Sequence, residues 1–374
     1  MGILSKIKSL VPASSRSLHA MHYELGQMHG QMGEMWGEVG QSRYMLIDVQ
    51  EQLRELERQI TNMDTRIITM LWELYRNDGE DLSNAKHRML TSMSPASGDL
   101  RMYQLASAQL LFEFDELCQK NGLNYWLVSG TLLGAVRHKG FIPWDDDLDV
   151  GMTRADISRI IEVAGSDERY RVTVCYDWYV NCRQVRFCYA DQRIPCFIDL
   201  FYFDPVAKLG AKTLEAREAA RAKLEEDLAA DERTTEYWNA AHQYVSDSEK
   251  RADPIREHFY EHINGLYESG VLCRNLDEAE GVVWGIDNVN SGVSHHSWYV
   301  IPKEAIFPIA RMPFEGRQAC VPADADRCLR DIFGDYWDIP EKIGSYFNHF
   351  STEAMRKQDV RDALSDLADE YSKE

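Results

Sequence analysis

Between Leu18 and Leu74 apolar residues recur every seven positions, and this repeat restricts what the chain can fold into more than any other feature. Leu18, Leu25, Met32, Val39, Leu46, Leu53, Ile60, Ile67 and Leu74 fill the a positions. Met21, Met28, Met35, Val49, Leu56, Met63 and Met70 fill the d positions, interrupted by Ser42. A period of 3.5 residues sustained this far predicts a coiled coil rather than a helix lying on a globular core. At about 1.5 Å per residue the rod would be roughly 85 Å long. Its apolar seam needs covering, so the chain is expected to form a homo-oligomer through residues 18–74. Methionine at d adapts to several geometries and leaves the strand number open.

Gly26, Gly30, Gly33, Gly37 and Gly40 lie off that seam. Each costs a helix about 0.5–1 kcal/mol relative to Ala. Either another helix or the body of the protein packs closely on this stripe, or the upper stalk is loose. Residues 1–17 form an amphipathic N-terminal segment, with Ile3, Leu4, Ile7, Leu10 and Val11 interleaved with Lys6 and Lys8. Residues 1–11 are either a peripheral contact with an anionic membrane surface or a helix lead-in.

The stalk, residues 18–76, gives way to an expected linker over 77–100, where Asn77-Asp78-Gly79 and Ser94-Pro95 break any regular pattern. A body follows over 101–350 with a helical insertion at about 211–270, rich in Ala, Glu, Lys and Arg, and 351–374 closes the chain as a helix and tail. A net charge of −20 excludes extended phosphate tracking, so no nucleic-acid partner is expected. The eight cysteines are scattered without metal-ligand spacing, which predicts reduced thiols and a cytoplasmic protein. No apolar run approaches the ~20 residues that cross a bilayer.

Within the body, Tyr103–Asn121 has helical apolar spacing and stops at Gly122. Tyr125-Trp126-Leu127-Val128 predicts a short buried strand entering the small-residue turn Ser129-Gly130-Thr131 and a helix from Leu132 to His138. Backbone N–H groups at such a helix entry suit a phosphate, although a plain turn has the same composition. The stretch Phe141–Val150 then crowds Asp145, Asp146, Asp147 and Asp149 together. Strand alternation puts Asp147 and Asp149 on one face and turns Asp146 away, with Leu148 and Val150 buried. Such a pair suits Mg2+ or Mn2+, and without a cation the carboxylate pKa values should be raised.

Two more strands are expected, one carrying Arg183 and Arg186, the next carrying Asp199 within Phe197-Ile198-Asp199-Leu200-Phe201. An Asp in so apolar a strand needs a metal or an Arg. Alternating strands and helices make the body α/β (α+β). Three carboxylates on adjacent strands beside a helix entry point to metal-dependent phosphoryl or nucleotidyl transfer.

The run from Tyr125 to Met152 is similar to the signature of the LicD family, phosphocholine-type transferases related to fukutin and the fukutin-related protein. Phe197–Asp204 and Met312–Pro340 resemble later segments of that family, and the likeness extends from about residue 101 to 345. The resemblance implies a nucleotidyltransferase-like mixed sheet with flanking helices. It implies transfer of a phospho-alcohol from a CDP-alcohol donor to a sugar hydroxyl, and the acceptor is expected to be a cell-surface glycan or its lipid-linked precursor at the inner face of the cell membrane. By position in the motif, Asp147 and Asp149 correspond to the metal-binding pair, with Asp145 in register. Asp199 corresponds to a third acidic position, as metal ligand or base. Ser129, Gly130 and Thr131 correspond to the phosphate cradle, Arg137 and Lys139 to a basic pair, and Arg186 to a basic residue before the third strand. Arg137, His138 and Lys139 would also suit a helix C-terminus through its dipole. Transfer of a whole nucleotidyl group to a small molecule, protein or RNA, and a non-catalytic coiled-coil scaffold, are the alternatives. Glu315 is expected to be a structural acceptor beside the cleft. Trp126, Trp144, Trp178, Tyr179, Tyr202, Trp284 and Trp298 offer either core packing or a cage for a quaternary ammonium.

Overall fold

The computed structural model describes residues 66–177, 182–234, 243–246, 254–288, 299–338 and 351–373, with a few isolated positions upstream. Two compact units divide the chain, Met1–Ala85 and Lys86–Glu374. The heptads before residue 66, the glycine stripe, residues 1–17, Trp178, Tyr179, the adjacent His295-His296 and Trp298 lie outside the described residues. In the first unit residues 66–75 are helical. Their heptad residues Ile67, Met70 and Leu74 are exposed by 47%, 66% and 81%, as are the off-seam Ile68 and Leu71 by 47% and 58%.

The expected linker is helical in its middle. Helix α1 (Leu82–Thr91) forms because the Asp81 carboxylate accepts the Asn84 N–H at 2.9 Å, a capping bond that satisfies a donor at the first turn. The Gly/Pro-rich stretches bracket this helix instead of replacing it. Helix α2 (Gly98–Asn121) begins earlier than its apolar pattern and ends where Gly122 adopts φ 66°, the left-handed turn that glycine makes without strain.

From there the chain lays down a mixed eight-stranded sheet. Strands β1 (Trp126–Leu127), β2 (Asp149–Met152), β3 (Tyr170–Asp177), β4 (Cys182–Tyr189) and β5 (Phe197–Val206) come first. They are joined by β6 (Gln243–Ser246), β7 (Gly281–Trp284) and β8 (Val300–Pro302). The order is β1-β2-β5-β4-β3-β6, with β7 pairing β5 and β8. Among the described residues, β2 and β5 of this sheet run parallel and its other pairs are antiparallel. Helix α3 (Ser129–His138) follows β1, and α4 (Arg154–Ala164), capped by Thr153, follows β2. Helices α5 (Ala211–Ala230) and α6 (Pro254–Glu268) lie within the span expected to be a helical insertion. That insertion is not purely helical, because β6 extends the sheet edge through β3.

The short helix α7 (Lys303–Ile306), the hairpin of β9 (Ala310–Phe314) and β10 (Arg317–Val321), and helix α8 (Ala325–Phe333) complete the body. The closing helix α9 (Gln358–Lys373) packs on α2. Trp126, Phe114, Phe187, Phe203 and Phe314 are fully buried at the centre. Trp126 stacks obliquely on Phe203, which also meets Trp284. These rings are core, so Trp126, Trp284 and the buried Tyr202 do not form an open cation cage. The described cysteines are free thiols.

Candidate active site

Two registers assemble the site. Parallel pairing of β2 with β5 sets Asp149 opposite Asp199, and antiparallel pairing of β4 with β5 sets Arg186 opposite Asp199 on the other side. Arg186 Nε donates to Asp199 Oδ1 at 2.8 Å, and its guanidinium lies 4.0 Å from the centre of the Phe197 ring. The acid in the apolar strand therefore has the Arg it requires.

Helix α3 closes on the acidic stretch from the other side. A Cβ on Gly130 would lie 2.7 Å from Asp145 Oδ2, so this position admits no side chain while that carboxylate stays in place. Thr131 is buried, and its hydroxyl oxygen accepts the Asp149 N–H at 2.8 Å. Thr131 therefore ties helix to strand. Ser129 is half-buried with φ 48°, an uncommon region for Ser and a mark of strain at the helix entry.

Strand geometry begins only at Asp149, which corrects the alternation expected for Asp147 to Val150. Pro143-Trp144 turns the chain, and the Asp145 N–H donates back to Ile142 O at 2.9 Å. Released from strand alternation, Asp146 is buried and is not turned away. Ligand oxygens of Asp145, Asp146 and Asp147 lie within 4.8 Å of one another.

Crowding leaves its electrostatic signature. Burial, and then the charges of Asp149, Asp145 and Asp199, hold the Asp147 carboxyl well above the usual carboxylate range. Asp149 is raised by burial and by Asp199 and Asp145, against the opposing charge of Arg186. Asp145 is pushed up to about 6 by burial, with a hydrogen bond to Asp147 opposing the shift. Oxygen donors at this density, destabilised as anions, fit a hard divalent cation.

The two members of the basic pair differ in burial. Arg137 is buried and donates to Tyr336 O at 3.3 Å, with burial lowering its pKa to about 10. Its neighbour His138 is lowered to about 4 by burial and by the Arg137 charge. Lys139 is exposed at the helix end, with φ 56°. The structure thus gathers Asp145, Asp146, Asp147, Asp149, Asp199, Arg186, Gly130 and Thr131, and sets Arg137 beneath Tyr336.

Residues 122–227 match the family described as LicD/FKTN/FKRP, nucleotidyltransferase domain. The chain carries a LicD-family domain. Lipopolysaccharide cholinephosphotransferase LicD of Haemophilus influenzae is 36% identical over 119 residues, 29% of this chain and 45% of that protein. Ribitol 5-phosphate transferase FKRP of Homo sapiens is 44% identical over 46 residues, 12% of this chain and 9% of that protein. Uncharacterized protein RP689 of Rickettsia prowazekii is 45% identical over 77 residues, 21% of this chain and 29% of that protein. The chain spans less than half the length of these relatives. All the gathered site residues fall inside the LicD-family stretch.

Because Gly130 is pressed against Asp145, Gly130→Ala should displace that carboxylate without disturbing the core. Calorimetric titration is expected to show about tenfold weaker Mn2+ binding, as outer contacts to ligands typically contribute, with a melting temperature within a few degrees of the parent.

Proposed function

We propose that the chain is a metal-dependent transferase that moves a phospho-alcohol group from a CDP-alcohol to a sugar hydroxyl of a cell-surface glycan or its lipid-linked precursor. The observation carrying this reading is the convergence of the Asp145, Asp146 and Asp147 oxygens beside the paired Asp149 and Asp199. The names of the LicD and FKRP relatives support a phospho-alcohol as the transferred group.

Asp147 and Asp149, with Asp145 and Asp199 alongside, would hold Mg2+ or Mn2+. A bound cation would supply neutralisation of charge on the donor pyrophosphate. The N–H groups of Ser129 and Gly130, half-buried residues at the start of α3, would donate to phosphate oxygens. Arg186 holds Asp199 through Oδ1, leaving Oδ2 for the cation or for the proton of the attacking hydroxyl. As that hydroxyl oxygen bonds to the alcohol-linked phosphorus, the bond to CMP breaks and CMP leaves.

Incubation with CDP-choline, CDP-ribitol and CDP-glycerol in Mg2+ is expected to release CMP from one of them and to add the corresponding phospho-alcohol mass to a sugar acceptor. Pyrophosphate release from a nucleoside triphosphate would instead establish nucleotidyl transfer. Failure to bind either metal or any CDP-alcohol would favour the scaffold.

The same reading has the chain self-associating through residues 18–74, and the exposed Ile67, Met70 and Leu74 support it. Among the described residues no helix is long and apolar enough to cross a membrane. Contact with the inner face of the cell membrane would therefore fall to residues 1–11.

A further inference from the structure

We propose that Gln104, on α2 and outside the LicD-family stretch, is a positioning residue that holds the acidic turn in shape for its cation; this rests on the metal-site reading above. Gln104 is fully buried. Its amide Nε2 donates to Ile142 O at 3.3 Å and to Asp145 O at 2.9 Å. Arg101 Nη1 donates to its Oε1 at 3.3 Å, which settles the orientation of the amide. One side chain thus bridges both ends of the turn from within the core.

The neighbouring bonds extend the brace. Arg101 grips Glu315 with two hydrogen bonds of 3.0 and 2.6 Å, and Glu315 Oε1 also accepts the Phe141 N–H at 3.0 Å. The Glu315 N–H returns to Lys139 O at 2.7 Å. Tyr371 on α9 donates to Glu315 O at 2.6 Å. A Cβ on Gly140 would collide with Glu315 Oε1, so chain and brace are in direct apposition. Glu315 takes φ 50°, a conformation that Glu adopts only when its surroundings demand it.

The physical case is one of opposing forces. Four carboxylates crowded on and beside the turn repel one another and push it open. Gln104 grips backbone carbonyls, so it resists the opening without occupying a ligand oxygen. Partners of this kind, one shell outside the ligands, typically govern metal affinity by about 10- to 100-fold.

The test is Mn2+ titration of the full chain by calorimetry, with thermal melts of the metal-free protein. Gln104→Met keeps the side-chain length and removes both donors; its dissociation constant is expected to rise toward 100-fold. Glu315→Gln keeps an acceptor for the Phe141 N–H but gives up the ion pair with Arg101, and should show a rise near tenfold even if Gln104→Met does not fold. A merely structural role would lower the melting temperature and leave the Mn2+ affinity of the folded variants unchanged. Affinities within twofold of the parent in every variant that folds would overturn the proposal. A parent chain that binds no Mn2+ would overturn the metal reading itself, a distinct result visible before any variant is made.

Discussion

Asp149→Asn and Asp147→Asn are each expected to abolish turnover while making the metal-free protein harder to melt. Both carboxyls sit among like charges and are held well above the usual carboxylate range, by burial first and by neighbouring carboxylates second. An acid whose pKa rises on folding stabilises the protein only while it keeps its proton, and that contribution disappears as pH rises through its folded value. At neutral pH, where an unfolded Asp is ionised, burying these raised carboxyls therefore weighs against the fold, and an amide of the same shape relieves that cost. Below the ordinary Asp range, near pH 2.5, the carboxyls of parent and unfolded chain are both protonated and the gain should vanish. Catalysis moves in the opposite direction. Losing a metal-binding oxygen removes several kcal/mol of charge stabilisation, a fall of about 10³-fold or more in kcat/KM. Activity within tenfold of the parent, in a folded variant, would remove Asp147 and Asp149 from the mechanism.

Arg154→Met should cost about 3–5 kcal/mol of stability, the usual consequence of stripping one partner from buried charges. Arg154 joins two elements by bonding Asp204 of β5 at 2.5 and 2.8 Å and also Asp287 beyond β7. The side chains of Asp204 and Asp287 are 2% and 0% exposed. The guanidinium also lies 4.3 Å from the centre of the Tyr202 ring. Without Arg154, Asp204 loses both of its hydrogen bonds, whereas Asp287 keeps Arg183 at 3.5 Å. The melting temperature should fall by about 10 °C. Replacing Asp204 by Asn in the same chain should recover part of it, since the remaining cost is that of a buried charge without a counterpart. A shift below about 2 °C for the single variant would show the network to be dispensable. Because β5 also carries Asp199, the stability of this cluster and the geometry of the site share one strand.

Several elements were legible from local pattern. The end of α2 at Gly122 follows from left-handed backbone that glycine adopts freely. The strands carrying Arg186 and Asp199 follow from alternation and apolar content, and the pairing of those two residues follows from the cost of burying an unpartnered acid. Where local reasoning went astray, a competing local bond won. Asp81 capped α1 inside a stretch punctuated by Gly and Pro, and the turn bond from Asp145 to Ile142 cancelled the alternation that had turned Asp146 away. Arg137 shows a different limit. Its place in a basic cluster after a helix is evident from the chain, but its burial beneath Tyr336 arises from a segment far along the chain.

Periodicity and short-range chemistry, which depend on neighbours within a few positions, are properties of the chain itself. They carry the heptads, the helix ends, the apolar strands and the concentration of acids before β2. The brace has no such signal. Gln104 sits inside a helical apolar pattern and meets its carbonyl partners 38 and 41 positions away, while Glu315 reaches Phe141 across 174. Bonds of that span exist only once sheet register and helix packing have brought distant backbone together. A polar residue in an apolar helix face announces that it needs a partner, but folding alone selects which one. The acids are written in the chain, and their alignment belongs to the assembled body.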